Sequence, residues 1–453
     1  MKTTILRRLM ALCLVLCLLP VGGLAFNGDE SPVTRSDFSF RLHVNPDAFP
    51  KDGKAHYQDW AELLDKISVK GRVDSQHAFE FENRVYMDAG LYLHDELKIP
   101  FDYDSYVTYR YMSSPALDGS FVHFHMDNFF QFMFKGYYFM GLPTQLIGLL
   151  MYPEAGLDLF ERYRGPVSEV FAGEGSRTVD YDTLYELCQE LNLIVQEDPE
   201  ERTYYWFSCL LFDLGLSDMI LERLGYLEDW LDYLDPDYQG MTITVEDGNE
   251  SWVIGETEIL SKTENGFTFC MPDYEGYEYV LAVNYDAASV QLGMMMEGAD
   301  YLTLRIEADS VPDMDATELD GQVTFTLSGD ALYEEVAPVT LSYSYARDAE
   351  ALPYSKTLSV NWVHPETGMP AIGFTYEAAS EAVTPDVFEE KIYILRQDFF
   401  TLNDSSLKEY QERFLPTLAL AAMPFVLEVP AGVISDLYTF MYETGLLAFI
   451  GIE

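Results

Sequence analysis

The chain has 453 residues, 27 Lys+Arg against 76 Asp+Glu, and a formal net charge of −49. So acidic a surface repels phosphate backbones and anionic lipid headgroups, which excludes nucleic acid as a partner. Calcium, cationic polymers and basic proteins stay compatible with it, and the simplest reading is a solubilising surface for an exported protein.

Met1 to Ala25 carries the pattern of a secretory signal. Lys2, Arg7 and Arg8 precede an apolar run from Leu9 to Leu19, and Pro20, Gly22, Gly23 and Ala25 lead to a small-residue cleavage site. Cleavage after Ala25 is expected, leaving no transmembrane segment. Cys13 and Cys17 lie inside the apolar run without the small residues that precede a lipid-modified cysteine. The C-terminus shows no sorting or retention motif, so the expected location is extracytoplasmic, secreted or associated with the cell surface. Cys188, Cys209 and Cys270 then remain, an odd number with no CxxC pair. They fit neither a disulfide framework nor a zinc cluster, and one disulfide or buried thiols suit them equally.

Residues 36 to 165 read as a meander followed by helices. Phe38, Phe40, Leu42 and Val44 share a strand face opposite Ser39, Arg41 and His43. Trp60, Leu63, Leu64 and Ile67 suit a short helix leading into a strand from Ser68 to Val73. Strands over 78 to 94, 98 to 113 and 119 to 127 follow, separated by His94-Asp95-Glu96 and by Ser113-Ser114-Pro115 to Gly119. In the last of them Val122, Phe124 and Met126 alternate with His123, His125 and Asp127. Asn128 and Gln131 read as a helix cap, and the aromatic residues from Phe129 to Phe139 then cover every side of a helix, which implies burial. Pro143 and Pro153 open two further short helices.

Residues 166 to 238 are expected to be a helical segment, with Tyr181, Leu184, Leu187, Cys188 and Leu191, and later Leu221, Leu224, Leu227 and Leu231, at helical spacing. Gly173-Glu174-Gly175-Ser176 reads as a linker. Residues 239 to 400 return to antiparallel sheet, with hairpin dipeptides at Asp247-Gly248, Asn265-Gly266 and Asp320-Gly321. Residues 401 to 453 form C-terminal helices on that sheet, capped by Ser406 with Glu409 and interrupted by Pro416, Pro424 and Pro430.

The predicted fold class is therefore α+β: two curved antiparallel meanders, each followed by short proline-broken apolar helices, around a helical middle. Leu142-Pro143-Thr144 before Pro153-Glu154-Ala155-Gly156 is matched by Leu415-Pro416-Thr417 before Pro430-Ala431-Gly432. An internal duplication and chance in an apolar composition both account for this match.

A helix followed by a curved antiparallel meander, over residues 57 to 128 and more loosely 240 to 380, resembles the lipoprotein-carrier half-barrels of the LolA and LppX type in its order of elements. That resemblance implies a concave apolar surface sheltering acyl chains under a helical cover. The chain departs from it in its length, in its helical middle and in lacking a lipid anchor.

Chemistry is sparsely signalled. His123, His125 and Asp127 are the one constellation with metal-ligand spacing, and His43, His56, His77 and His94 fall in the same region as further donors. The competing reading is the wet face of a strand, with Asp127 beside a helix N-terminus. Asp313-Met314-Asp315 and Asp102-Tyr103-Asp104 lack the glycine and glutamate of a calcium loop. There is no GxSxG elbow, HExxH helix or phosphate loop, and paired carboxylates are uninformative among 76 acids. No cofactor is expected beyond a divalent metal at the histidine strand. The sequence reads as an exported non-enzymatic protein that binds an apolar or amphiphilic ligand. The alternatives are a cell-surface interaction protein, and a secreted hydrolase using a metal or carboxylates.

Overall fold

The computed structural model describes residues 33–51, 54–77, 83–106, 109–114, 121–124, 142–151, 174–180, 240–272, 277–296, 298–313, 316–332, 336–384, 387, 399–402 and 407–443. The chain folds as two compact units. The first comprises residues 1–137, 315–320 and 341–453, the second residues 138–314 and 321–340.

The first unit begins with β1 (Val33–Val44), a 3-10 turn over Pro46–Ala48 and helix α1 (Lys54–Leu64). Strands β2 (Ile67–His77), β3 (Asn83–Leu93), β4 (Glu96–Tyr106), β5 (Tyr109–Ser113) and β6 (Phe121–Phe124) follow. Each pairs antiparallel with its predecessor, β2 on β1 included. The β1–β2 register is held by Arg35 opposite Asp74, whose two hydrogen bonds of 2.7 and 3.0 Å satisfy a carboxylate wholly removed from solvent.

The second unit contains helix α2 (Leu142–Met151) and a nine-strand consecutive meander. Its strands are β7 (Gly175–Val179), β8 (Met241–Glu246), β9 (Asn249–Ile254), β10 (Thr257–Thr263), β11 (Gly266–Pro272), β12 (Tyr277–Asn284), β13 (Ser289–Met296), β14 (Ala299–Ala308) and β15 (Glu318–Ser328). Leu146 and Leu149 of α2 pack with Phe267, Leu281, Val283, Val290 and Ile306 from the sheet. Period-2 burial supplies the sheet side of that core, as in β8, where Met241, Ile243 and Val245 are buried and Thr242 and Thr244 are not.

The chain then returns to the first unit through β16 (Val339–Arg347), β17 (Tyr354–Val363), β18 (Pro370–Val383), β19 (Phe399–Leu402), α3 (Leu407–Val426) and α4 (Ala431–Glu443). Strand β18 lies between β17 and β1, and β19 pairs parallel to β6. The spatial order is therefore β16-β17-β18-β1-β2-β3-β4-β5-β6-β19. The core joins Val44 and Phe49, Trp60, Leu63 and Leu64 of α1, Trp362, Ile372 and Val433.

These pairings correct the α+β expectation: among the described residues antiparallel strands dominate and helices are few. The helical middle is broken by β7, which begins inside the expected linker and pairs residue for residue with β8. Its five residues are too short for a periodicity window to separate from flanking helical spacing. The rest of residues 181–239, with Cys188 and Cys209, lies outside the described residues, as do Phe129 to Phe139.

Two local expectations also change. Asp320-Gly321 is no turn but lies within β15, because neither residue adopts the positive φ that a two-residue hairpin needs. Pro416 and Pro424 sit inside α3 without ending it. The other two hairpin dipeptides stand at the β8–β9 and β10–β11 turns, where Asp247 and Gly248 have φ of 51° and 80°.

Candidate functional site

An open cleft of about 540 Å³ in the first unit is lined by Arg41, Glu62, Asp65, Lys66, Ser68, His94 and Asp95. Local structure brings these residues together. Helix α1 ends at Leu64, and Asp65 and Lys66 make the turn into β2, so Glu62, Asp65 and Lys66 stand at one junction and Ser68 enters the sheet beside it. Arg41 follows the last β1–β2 register pair, Phe40 with Val69, which sets it next to Ser68. The β3–β4 turn closes the site when the His94 amide donates to the Lys66 carbonyl at 2.8 Å.

That turn is built against backbone preference. His94 and Asp95 have φ of 53° and 61°, the left-handed conformation of a type I′ turn, where Asn-Gly is the favoured pair. Glycine there would relieve the backbone but remove both side chains from the cleft.

The charges are shared unevenly. Asp95 accepts from Lys70 at 2.7 Å and only a long 3.4 Å contact from Arg41. The Lys70 hydrogen bond and charge hold the Asp95 carboxyl below its ordinary 3.8. Glu428, on the α3–α4 connection, takes Lys66 at 2.9 Å and His94 at 3.4 Å, and these two bonds, that of Lys66 first, lower its carboxyl. Two lining groups lack comparable partners. Asp65 has no ion pair among the described residues, and the Ser68 hydroxyl, on a residue 4% exposed, has no hydrogen-bond partner among them. A buried orphan hydroxyl costs about 1–3 kcal/mol unless water or a ligand satisfies it.

Beside the cleft, α1 and α4 are clasped through Asp436. The buried Trp60 indole donates to Asp436 Oδ2 at 3.0 Å. His56 Nε2 approaches the same oxygen at 2.5 Å but without hydrogen-bond alignment, so this is a charge contact when the imidazole is protonated. Beyond the charged first turns of α3, the exposed side chains of its C-terminal half, from Pro416 on, are apolar. Leu420, Met423 and Leu427 recur at i, i+3 and i+7, with Leu420 73% and Leu427 78% exposed. Ile434, Tyr438 and Tyr442 form an exposed stripe at i, i+4 and i+8 on α4. No charged residue occurs from Phe414 through Leu427.

Of the sequence-predicted metal ligands, His125 and Asp127 lie outside the described residues. His123 belongs to β6, where its backbone is paired with Tyr111 and Thr401. The further donors are dispersed. His43 Nε2 lies 2.7 Å from Asn361 Oδ1, His56 meets Asp436, and His94 meets Glu428. Among the described residues no three His, Cys, Asp or Glu side chains gather as a metal-ligating group. Asp102 of the second acidic motif lies in β4 and accepts from the Tyr86 hydroxyl at 2.8 Å. Sequence reasoning missed Arg41, Lys66, Ser68 and Glu428. The one signal was a His-Asp pair at a hairpin turn where glycine is cheaper. No helix among the described residues is long and apolar enough to cross a membrane. No protein-family model matches the chain, and no curated protein sequence matches it either.

Proposed function

We propose that the chain is an exported, non-enzymatic binding protein for an amphiphilic ligand, whose apolar part rests on the C-terminal helices and whose polar part enters the adjoining cleft. The observation that carries this reading is an adjacency. Leu427, 78% exposed, is followed directly by Glu428, whose carboxylate reaches the cleft residues Lys66 and His94. Contiguous exposed apolar side chains of this size mark interaction surfaces. The resemblance of residues 57 to 128 to lipoprotein-carrier half-barrels, in the order of elements read from the sequence, is in keeping with this reading.

The test is native mass spectrometry of protein purified without detergent or chelator. A non-covalent lipid adduct that disappears on denaturation, and is lost from a Leu420→Glu/Leu427→Glu variant of unchanged circular dichroism, is the expected result. A bare-chain mass in both proteins would overturn the reading. It would favour instead the cell-surface interaction protein, for which the exposed Ile434, Tyr438 and Tyr442 stripe is the docking element.

A further inference from the structure

The cleft holds unspent hydrogen-bonding capacity of two opposite kinds. On the sheet side, Arg41 carries five N–H donors and among the described residues makes one side-chain contact, at 3.4 Å, with an Asp95 already bound by Lys70. Next to it the Ser68 hydroxyl is buried and unpartnered among the described residues. On the helix side, among the described residues the Asp65 carboxylate has no ion pair, and Glu62 accepts from Gln58 alone, at 3.2 Å. A guanidinium with an adjacent hydroxyl suits the oxygens of a phosphate, and a pair of carboxylates suits an ammonium. A chain of net charge −49 opposes the approach of a free anion, but not of an anion that carries its own cation.

We infer that this cleft binds a zwitterionic aminophosphate group, with the phosphate on Arg41 and Ser68 and a primary ammonium on Asp65 and Glu62. The inference rests on the amphiphile reading for the source of the group, since the same chemistry occurs on a lipid headgroup and on a free phosphorylated amino alcohol. A primary ammonium is specified because carboxylates take hydrogen bonds from it that a trimethylammonium cannot give. Glu428 holds Lys66 and His94, which among the described residues lining the cleft leaves Arg41 as the cation available to the phosphate.

Isothermal titration of the full chain with O-phosphoethanolamine, inorganic phosphate, ethanolamine and lysophosphatidylethanolamine below its micellar concentration tests this. O-phosphoethanolamine is expected to bind saturably and at least about tenfold more tightly than phosphate or ethanolamine alone. Arg41→Gln and Ser68→Ala should each weaken it about tenfold, while Asp65→Asn weakens it without affecting inorganic phosphate. Arg41 is half exposed and Ser68→Ala removes a single oxygen, so circular dichroism should show both variants folded. Tighter binding of the lysolipid than of O-phosphoethanolamine assigns the lipid source, and equal binding assigns the free compound. No saturable binding of either zwitterion, or binding unchanged in Ser68→Ala and Arg41→Gln, overturns the site. The two failures separate cleanly: headgroup binding with no gain from the acyl chain refutes the amphiphile reading alone, whereas lysolipid binding indifferent to both variants refutes the cleft alone.

Discussion

Replacing Asp436 by alanine removes the carboxylate that joins Trp60 and His56 of α1 to α4. The Trp60 ring is 3% exposed and Asp436 5% exposed, so water does not replace the lost acceptor. The indole N–H, now 3.0 Å from nothing, is left buried and unpaired, a loss of about 1–3 kcal/mol, with the middle of that range expected because the acceptor was charged. The effect belongs to local opening of α4 rather than to global unfolding, because a chain of two units need not unfold in one step. About 2 kcal/mol corresponds to a roughly thirtyfold loss of amide hydrogen-exchange protection in α4. Asp436→Asn keeps a carbonyl oxygen for the indole and should lose less than half as much. Unchanged protection of residues 431–443 in Asp436→Ala, or equal losses in the two variants, would refute the assignment of the clasp to this hydrogen bond.

Acid should loosen the β3–β4 turn. Asp95 and Glu428 both have carboxyls lowered by their lysine partners, so the unfolded chain takes up protons first as pH falls. Their contribution is complete above the ordinary 3.8 of Asp95 and 4.5 of Glu428 and fades as pH drops through the lower folded values. Exchange protection of the His94 amide should follow that fall and flatten in Glu428→Gln, whereas protection rising on acidification would contradict it. Lys356 lies 6.0 and 5.9 Å from the Tyr354 and Tyr376 ring centres, and burial pushes its amine below the ordinary 10.5. The unfolded chain then holds the extra proton, so stability rises with pH towards 10.5 and Lys356→Met should stabilise by roughly 1 kcal/mol at neutral pH, read from the urea midpoint. A lower midpoint would mean that the ring contacts outweigh desolvation. Gly71→Ala would set a Cβ 2.4 Å from the Asp88 carbonyl oxygen and 2.6 Å from Ala89 Cα, a clash with backbone that should cost about 2 kcal/mol in the same assay. Gly248→Ala, with nothing within 4 Å but φ of +80°, should cost less, about 1 kcal/mol.

What the sequence made legible was local. Trp60, Leu63 and Leu64, read as the buried side of a short helix, are the buried residues of α1. Phe38, Phe40 and Leu42 were placed in a strand because neighbours two apart share a face, and Asp247-Gly248 marked a hairpin through its backbone chemistry. Long-range pairing was not legible. Strand β18, inside the stretch read as antiparallel sheet, carries four successive buried residues, Ala371 to Phe374, before alternation resumes at Glu377 to Glu381, and both of its edges are paired. Its partner β1 lies more than 300 residues away, and no window sees that pairing. The cleft was illegible for the same reason: Arg41, Ser68, His94 and Glu428 come from four separate stretches, and only His94-Asp95 left a trace, as side chains where a turn prefers glycine.

The place of β1 between β2 and β18 sets a timetable for synthesis. Its first neighbour emerges within a few dozen residues, but its second, Ile372 to Val383, is made some 340 residues after Val44. At about 5–20 residues per second the ribosome needs roughly 20–70 s to supply it. During that interval one edge of β1 presents unpaired amides and carbonyls to any strand it meets. Closing so long a loop is slow even once the partner exists. A factor that shields nascent strand edges should therefore raise the yield of this chain more than mutations that strengthen its finished core.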